Sequence, residues 1–289
     1  MRFIRILAVC LALLLLAGCS ANTPVSDVAA TTAPVAQFAQ AIATGTPVTV
    51  TQVITDSVSC LHDYSLSVSQ MKALEQSRLI LISGAGLEDF MDDILTDKAI
   101  SDCSVGTNLL TLDGHDDHDG HDHGHFDPHI WLSPENAIIM AENICNALSA
   151  EYPEFETTFR SNTDVLKERL AKLQRDGQAA LSELSCRELI TFHDGFAYLA
   201  EAFDLEILEA IEEESGSEAS AKELVHMIQL VEGHRLPAVF TERNGSVSAA
   251  SVICAETGIS SFSLDTAMGT SDYFEAIEGN ILTLKEALQ

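Results

Sequence analysis

Basic residues are scarce in this sequence. The 289 residues include 15 lysines and arginines against 44 aspartates and glutamates, which gives a formal net charge of -29. Such an acidic chain is repelled by nucleic acid and by anionic lipid head groups, whereas its electrostatic field concentrates cations. We therefore expect no nucleic acid partner. The acidity permits metal binding without being evidence for it.

The motifs of cysteine-based zinc and redox sites are also missing. None of the seven cysteines forms a Cys-x-x-Cys pair, which argues against thiolate zinc clusters and thioredoxin-type chemistry. Cys145 and Cys254 lie on apolar helical faces and are predicted to be core thiols. A disulfide between Cys60 and Cys103 is possible, but the sequence alone does not establish it.

No apolar run is long enough to span a bilayer as a helix of roughly 20 residues. The longest, ILAVCLALLLLA, follows Arg2 and Arg5 and ends at Gly18 and Cys19. This pattern is typical of a secretory signal over residues 1–18. Its L-A-G-C ending resembles a bacterial lipobox, so we expect Cys19 to be lipidated. The chain would then be held on the outer face of the cytoplasmic membrane by a lipid anchor.

Strand-like and helical segments alternate along the rest of the chain. TVTQVI and RLILISG are predicted strands in the first half, and RELITF, LEILEAI, PAVFTE and SSFSLD are predicted strands in the second half. Helices come between them, two of which start at capping boxes, Ser67 with Gln70 and Ser220 with Glu223. The alternation predicts an α/β fold of two parallel-sheet lobes, covering residues 19–152 and 185–289.

Residues 153–184 between these lobes have a helical pattern. The apolar residues Phe159, Val165, Leu166, Leu170, Leu173 and Leu181 recur at helical spacing after Pro153. One continuous helix here would reach about 45 Å. The pattern is compatible with a helix that links the lobes and equally with an outer layer of one domain.

Residues 113–125 consist almost entirely of Asp, His and Gly, which cannot build a core. We predict a loop whose five histidines, interleaved with aspartates, gather metal ions weakly: His115, His118, His121, His123 and His125. An insertion without a role is the alternative. An EF-hand is not supported, because the position that requires Glu would be Phe126.

Four further side chains suggest a fixed metal site. His62, His129, His193 and Asp265 each stand at the predicted carboxyl end of a strand, where open α/β sheets gather their ligands. Two belong to each lobe, so the site that they suggest lies in the cleft between the lobes. Each one alone would more often be an ordinary polar residue.

The sequence segments around these residues resemble those of a known family. LHDYSLSVSQMKALEQ, DPHIWLSPENAIIMAENICNAL, TFHDGFAYLAEAFDLEILEAI and VFTERNGSVSAASVICAETG look like segments of the zinc/manganese-binding receptor lipoproteins of bacterial ABC importers, in the same order. The resemblance implies two lobes bridged by one long helix, with His62, His129, His193 and Asp265 as metal ligands. It departs where many members have prolines around the first ligand, since Leu61 and Leu66 stand here.

The resemblance also implies the cargo and the partners. Three imidazoles and one carboxylate suit tetrahedral Zn²⁺, and a His rather than a Glu at position 193 favours Zn²⁺ over Mn²⁺. The partners would be an ABC permease and its ATPase, and we expect the receptor to act as a monomer without enzymatic activity.

Two other functions remain open at this point. A zinc hydrolase would need an open coordination position and a base, for which Glu242 is the best candidate, but the sequence has no His-Glu-x-x-His motif. A zinc storage or sensor lipoprotein would bind several weak ions on the His-rich loop and would not need an elaborate α/β chain.

Overall fold

The computed structural model describes residues 26–55, 61, 64–91, 99–111, 126–211 and 219–289. The predicted signal segment 1–18, Cys19, Cys60, His62 and the His-rich loop 113–125 lie outside the described residues. Cys103 is buried, and its possible disulfide with Cys60 stays open because Cys60 is outside the described residues.

The first lobe is built on a parallel four-stranded sheet with the strand order β2-β1-β3-β4. Its core strands consist of small or branched apolar residues that are buried on both faces, as expected for strands covered by helices. The strands are β1 (Val28–Ala30), β2 (Val50–Gln52), β3 (Leu79–Ile82) and β4 (Ile100–Asp102).

The second lobe repeats the same topology with the strand order β6-β5-β7-β8, again entirely parallel. Its strands are β5 (Glu188–Thr191), β6 (Glu206–Ala210), β7 (Ala238–Glu242) and β8 (Ser260–Leu264). The predicted α/β class with two parallel sheets is therefore confirmed, and each quoted strand-like segment contains a strand.

Helices cover both sheets. Those that precede or follow the first sheet's strands are α1 (Ala33–Ala43), α2 (Val68–Gln76) and α3 (Pro134–Glu151), and those of the second lobe are α5 (Ala197–Ala202), α6 (Ala221–His234), α7 (Ser248–Thr257) and α8 (Tyr273–Leu288). Both predicted capping boxes form, at Ser67 with Gln70 and at Ser220 with Glu223. Among the described residues, no helix combines the length and apolarity needed to cross a membrane.

The helical segment between the two sheets forms α4 (Glu156–Ala180), a helix of 25 residues. It packs along α3 and α1 of the first lobe and also contacts α8 of the second. Its buried stripe includes Phe159, Leu166 and Leu170, whereas Val165 is exposed although the apolar pattern assigned it to this stripe. The helix therefore serves as an outer layer of the first lobe and reaches the second, so the two alternatives left open by the pattern are combined.

The lobes share one apolar core and are joined by buried hydrogen bonds. The larger of two core clusters contains residues of both lobes, from Val28 in β1 to Leu288 at the end of α8, and a second cluster packs α6 and α7 against β5 and β7 within the second lobe. Trp131 Nε1 donates to the Thr266 carbonyl at 2.7 Å, and Tyr273 Oη donates to the Trp131 carbonyl at 2.8 Å. Because both tyrosine and tryptophan are fully buried, these bonds fix the short segment around Trp131 against the second lobe.

A buried carboxylate braces the carboxyl edge of the first sheet. Glu88 accepts hydrogen bonds from Thr31 Oγ1 at 2.6 Å, Ser83 N at 2.8 Å and Gly84 N at 2.9 Å, which joins the ends of β1 and β3. Burial raises the pKa of Glu88 to about 7; the three donors lower it and nearby Asp102 raises it slightly. The folded protein therefore holds a proton on Glu88 more readily than the unfolded chain does.

This shift generates a pH-dependent prediction. A folded-state pKa above the unfolded one contributes stability at low pH that is lost as the pH rises from about 4.5 to about 7. In Glu88→Gln, which does not titrate, this part of the pH dependence should disappear. Relative to Glu88→Gln, the original chain should thus lose up to about 3 kcal/mol of unfolding free energy across that interval.

Urea unfolding at pH 4.5 to 8 measures this difference, with Glu232→Gln on the exposed surface of α6 as the matched control. An identical pH slope for the original chain and Glu88→Gln would refute the role given to this carboxyl group.

Candidate metal centre

His193 lies where the sequence predicted it, two residues beyond the last residue of β5, at the carboxyl edge of the second sheet. His129 does not. It immediately precedes Ile130–Leu132, a 3-10 helix of one turn that leads into α3, and 26 residues separate it from the end of β4. The prediction that His129 ends a strand was therefore wrong, because the segment around it is positioned by lobe-to-lobe hydrogen bonds and not by a sheet.

The two histidines nevertheless meet. His129 Nε2 and His193 Nε2 are 3.2 Å apart, and the two ring planes are almost perpendicular, at 88°. Two nitrogen ligands at 2.0–2.1 Å from a tetrahedral ion would be separated by about 3.3 Å. The spacing of this pair across the boundary between the lobes thus fits joint coordination of one ion.

Gly195 provides the space for this approach. A Cβ atom built on Gly195 would lie 2.5 Å from His193 Nε2 and 3.0 Å from His129 Cε1. Both distances are too short for non-bonded atoms, so a side chain here would displace the rings. The glycine was overlooked in the sequence, where His-Asp-Gly-Phe was its only signal.

Asp127 orients His129. Its Oδ1 atom accepts the backbone N–H of His129 at 2.9 Å and contacts His129 Nδ1 at 2.8 Å, and both residues are buried. An ionised carboxylate can only accept, so Nδ1 donates, and a neutral ring then carries its lone pair on Nε2. This is the arrangement in which a metal-binding histidine is held by a neighbouring carboxylate. In the sequence, the D-P-H segment alone does not indicate this role of the aspartate.

Asp265 follows directly after β8, as predicted, and is held by several groups. Its Oδ1 accepts the backbone N–H of Ala267, a residue in the left-handed conformation, at 2.8 Å. Its Oδ2 accepts from Arg243 Nη1 at 2.6 Å and from Ser271 Oγ at 2.8 Å. One carboxylate oxygen is therefore engaged by a guanidinium, which an incoming cation would have to replace.

Glu242, the last residue of β7, is the other acidic group at this edge. It is buried and accepts a hydrogen bond from Thr266 Oγ1 at 3.1 Å. Burial raises its pKa, the Thr266 bond and nearby His129 lower it, and nearby Asp265 raises it. Glu242 ends β7 and Asp265 follows the neighbouring strand β8, so both carboxyl groups lie at the same edge of the second sheet.

The described residues contain part of the predicted ligand set. The structure pairs His129 with His193 and brings Asp265 to the same edge, whereas His62 lies outside the described chain. Over the described ranges, no three His, Cys, Asp or Glu side chains already converge as a complete metal cluster.

Comparisons with known proteins identify the family of this chain. Residues 28–287 match the family described as "Zinc-uptake complex component A periplasmic" (ZnuA). The "Zinc-binding protein AdcA" of Streptococcus pyogenes is 28% identical over 252 residues, covering 78% of this chain and 49% of the relative. The "Zinc-binding lipoprotein AdcA" of Streptococcus pneumoniae is 28% identical over 244 residues, with 78% and 48% covered. The chain thus spans about half the length of these curated relatives.

A solved structure shares the whole architecture. The chain superimposes on the "Crystal structure of ZnuA" with a TM-score of 0.79 and 25% identity, covering 91% of this chain and 99% of the other. The residues that match the family cover nearly all of the described chain, including both sheets and the pair His129 and His193. The chain therefore belongs to the family of periplasmic zinc-uptake components, ZnuA.

Proposed function

We propose that this protein is an extracytoplasmic receptor that captures Zn²⁺ between its two lobes and delivers it to an ABC permease. The observation that carries the proposal is the pair His129 and His193, whose Nε2 atoms lie 3.2 Å apart across the lobe boundary. A chelating pair with one ring oriented by a buried carboxylate suits capture of a divalent ion. It requires no chemical change in the cargo.

The proposed ligands are His62, His129, His193 and Asp265. Three neutral imidazoles and one carboxylate suit Zn²⁺ in tetrahedral geometry, whereas Mn²⁺ prefers more oxygen ligands. Asp265 would join by exchanging the guanidinium of Arg243 for the ion. A Mn²⁺-type receptor is the alternative cargo assignment within the same family, and the buried carboxylate of Glu242 at the same sheet edge is a further oxygen donor for it.

The proposed setting follows from the first residues and from the relatives. Cys19 would carry lipid after removal of residues 1–18, and one of the relatives described above is named a lipoprotein. The receptor would be a monomer held on the outer face of the cytoplasmic membrane, and its partners would be the permease and the ATPase. Residues 19–152 and 185–289 are the proposed lobes, with residues 153–184 as the helical link.

A zinc hydrolase is the competing proposal from another class. It would leave one position of the ion to water and would use Glu242 as the base. Four protein ligands, with Asp265 as the fourth, leave no such position. A measurement of water exchange at the bound ion distinguishes the receptor from the hydrolase, since only the hydrolase requires an exchangeable water.

Replacing a member of the histidine pair should abolish tight binding. His193→Ala removes one of the three proposed nitrogen ligands, so Zn²⁺ affinity should fall by at least about a hundredfold, more than is usual for outer partners of a ligand. His226→Ala is the matched control, because His226 is an exposed histidine on α6 whose Nε2 contacts Glu209 at 3.5 Å. Competition with a fluorescent chelator measures both. Equal affinities for the two variants would exclude His193 as a ligand.

Removing Arg243 should strengthen binding. The guanidinium competes with the ion for Asp265 Oδ2 and repels a cation, while Ser271 Oγ and Ala267 N still hold the carboxylate. Arg243→Met should therefore raise Zn²⁺ affinity by about tenfold, the effect of one nearby charge in a partly hydrated site. Arg175→Met on the exposed face of α4 is the control. Weaker binding by Arg243→Met would mean that the arginine supports the site instead of competing for it.

The loop histidines should contribute only weak sites. We propose that His115, His118, His121, His123 and His125 gather ions beside the main site. The flanks of the loop are already paired, because Thr111 and Phe126 form an antiparallel bridge and Asp127 N donates to the Leu110 carbonyl at 2.9 Å. A short linker can therefore replace residues 113–125 without moving Asp127.

A Zn²⁺ titration of the chain with this replacement should retain one tight site and lose the weak ones. A second variant with the five histidines changed to asparagine keeps the loop length and should give the same count. Loss of the tight site from both variants would favour a loop-based store or sensor over the receptor.

A further inference from the structure

Tyr198 connects the two segments that carry the paired histidines. It lies in α5, five residues after His193, and its side chain is completely buried. Its hydroxyl donates to the Asp127 carbonyl at 2.8 Å and accepts the backbone N–H of Leu110 at 2.9 Å. A residue of the second lobe therefore satisfies two buried backbone groups of the first lobe, close to His129.

The same contacts continue to the ring of His129. Asp127 N donates to the Leu110 carbonyl, so Tyr198, Leu110 and Asp127 form a closed set of three hydrogen bonds. From Asp127, Oδ1 reaches both the backbone N and the Nδ1 of His129. The backbone of Asp127 is thus held by Tyr198, and its side chain holds His129. Among the described residues, Asp127 Oδ2 has no hydrogen-bond partner, so the Oδ1 contacts alone bind this side chain.

The spacing of the histidines requires such a connection. His129 and His193 come from different lobes, and His129 is not anchored by a strand. Metal ligands must be held to within about half an ångström of their productive geometry. Tyr198 moves with His193, because only four residues separate them, and it fixes the backbone next to His129. The Tyr198 hydroxyl thereby couples the positions of His129 and His193.

We propose that Tyr198 is a positioning residue for the metal centre, which sets the distance between His129 and His193 through Asp127. Its effect on an ion is transmitted by the Asp127 backbone. The inference rests on the proposed function, since it takes the two histidines as ligands of the cargo.

Tyr198→Phe tests the proposal, because it removes only the hydroxyl. The Zn²⁺ dissociation rate, measured with an excess of chelator on the full chain in detergent, should rise about tenfold or more, as is usual when an outer partner of a histidine ligand is lost. The visible spectrum of the Co²⁺-loaded chain should change in band position and intensity, since it reports the geometry of the ligands. The number of tightly bound ions should remain one.

Tyr152→Phe is the matched control. Tyr152 is also buried, and its hydroxyl also donates to a backbone carbonyl, that of Asp27 at 3.3 Å, but this bond lies within the first lobe, and Tyr152 follows the end of α3 whereas His129 lies before its start. It should lower thermal stability without changing the Zn²⁺ dissociation rate or the Co²⁺ spectrum. Equal effects of the two variants on these properties would overturn the proposal, because they would reduce Tyr198 to a structural residue.

A measurement without metal separates this inference from the proposed function. In the metal-free chain, the backbone amide of His129 should exchange its hydrogen faster in Tyr198→Phe than in the original chain, and Tyr152→Phe should leave it unchanged. Absence of tight metal binding by the original chain would refute the proposed function alone. Unchanged exchange at His129 in Tyr198→Phe would refute the positioning role, whatever the cargo is.

Discussion

The proposed metal centre depends on buried hydrogen bonds that cross between the two lobes. Trp131 and Tyr273 join the segment after His129 to the second lobe, and Tyr198 joins the segment before it. Each bond pairs a buried polar group that would be costly to leave without a partner. The His129 segment is therefore held from both sides although no strand carries it, and only this restraint lets a histidine of the first lobe face His193.

The charged groups at the candidate site suit reversible binding of a cation. Asp127, Glu242 and Asp265 are buried acidic residues, and each is engaged by donors of the protein: His129, Thr266 and the pair Arg243 and Ser271. Buried carboxylates are tolerated when they are paired in this way. An ion that binds Asp265 would take the place of Arg243, and after its release the guanidinium would return. This exchange limits the affinity and keeps the empty site from carrying uncompensated charge.

The shared core restricts how the lobes can move. Apolar packing continues from β1 to the end of α8, and α4 contacts helices on both sides of the boundary. Because packed interiors resist gradual deformation, opening would break the few polar links at the boundary before it separates the core. The hydrogen bond made by Tyr198 is one of these boundary links. The geometry of the proposed ligands therefore depends on the same contacts that hold the lobes together.

The sequence by itself determined the α/β class, the two sheets, the capped helix starts and the residues His193 and Asp265 at strand ends. These features depend on local periodicity and on short-range turn chemistry, which the order of residues expresses directly. The course of α4 was only partly determined, because an apolar stripe does not state which lobe it faces, and Val165 fell on the exposed side.

Only the tertiary structure decided how the site is assembled. The pairing of His129 with His193 joins residues 64 positions apart, and the contacts of Asp127 with Tyr198 and of Arg243 with Asp265 join residues 71 and 22 positions apart. Nothing in the local sequence distinguishes these tyrosine and arginine side chains from ordinary core or surface residues. The role of Tyr198 arises from the folding of two lobes onto one boundary, and that of Arg243 from the pairing of β7 with β8, so that distance along the chain no longer limits which groups meet.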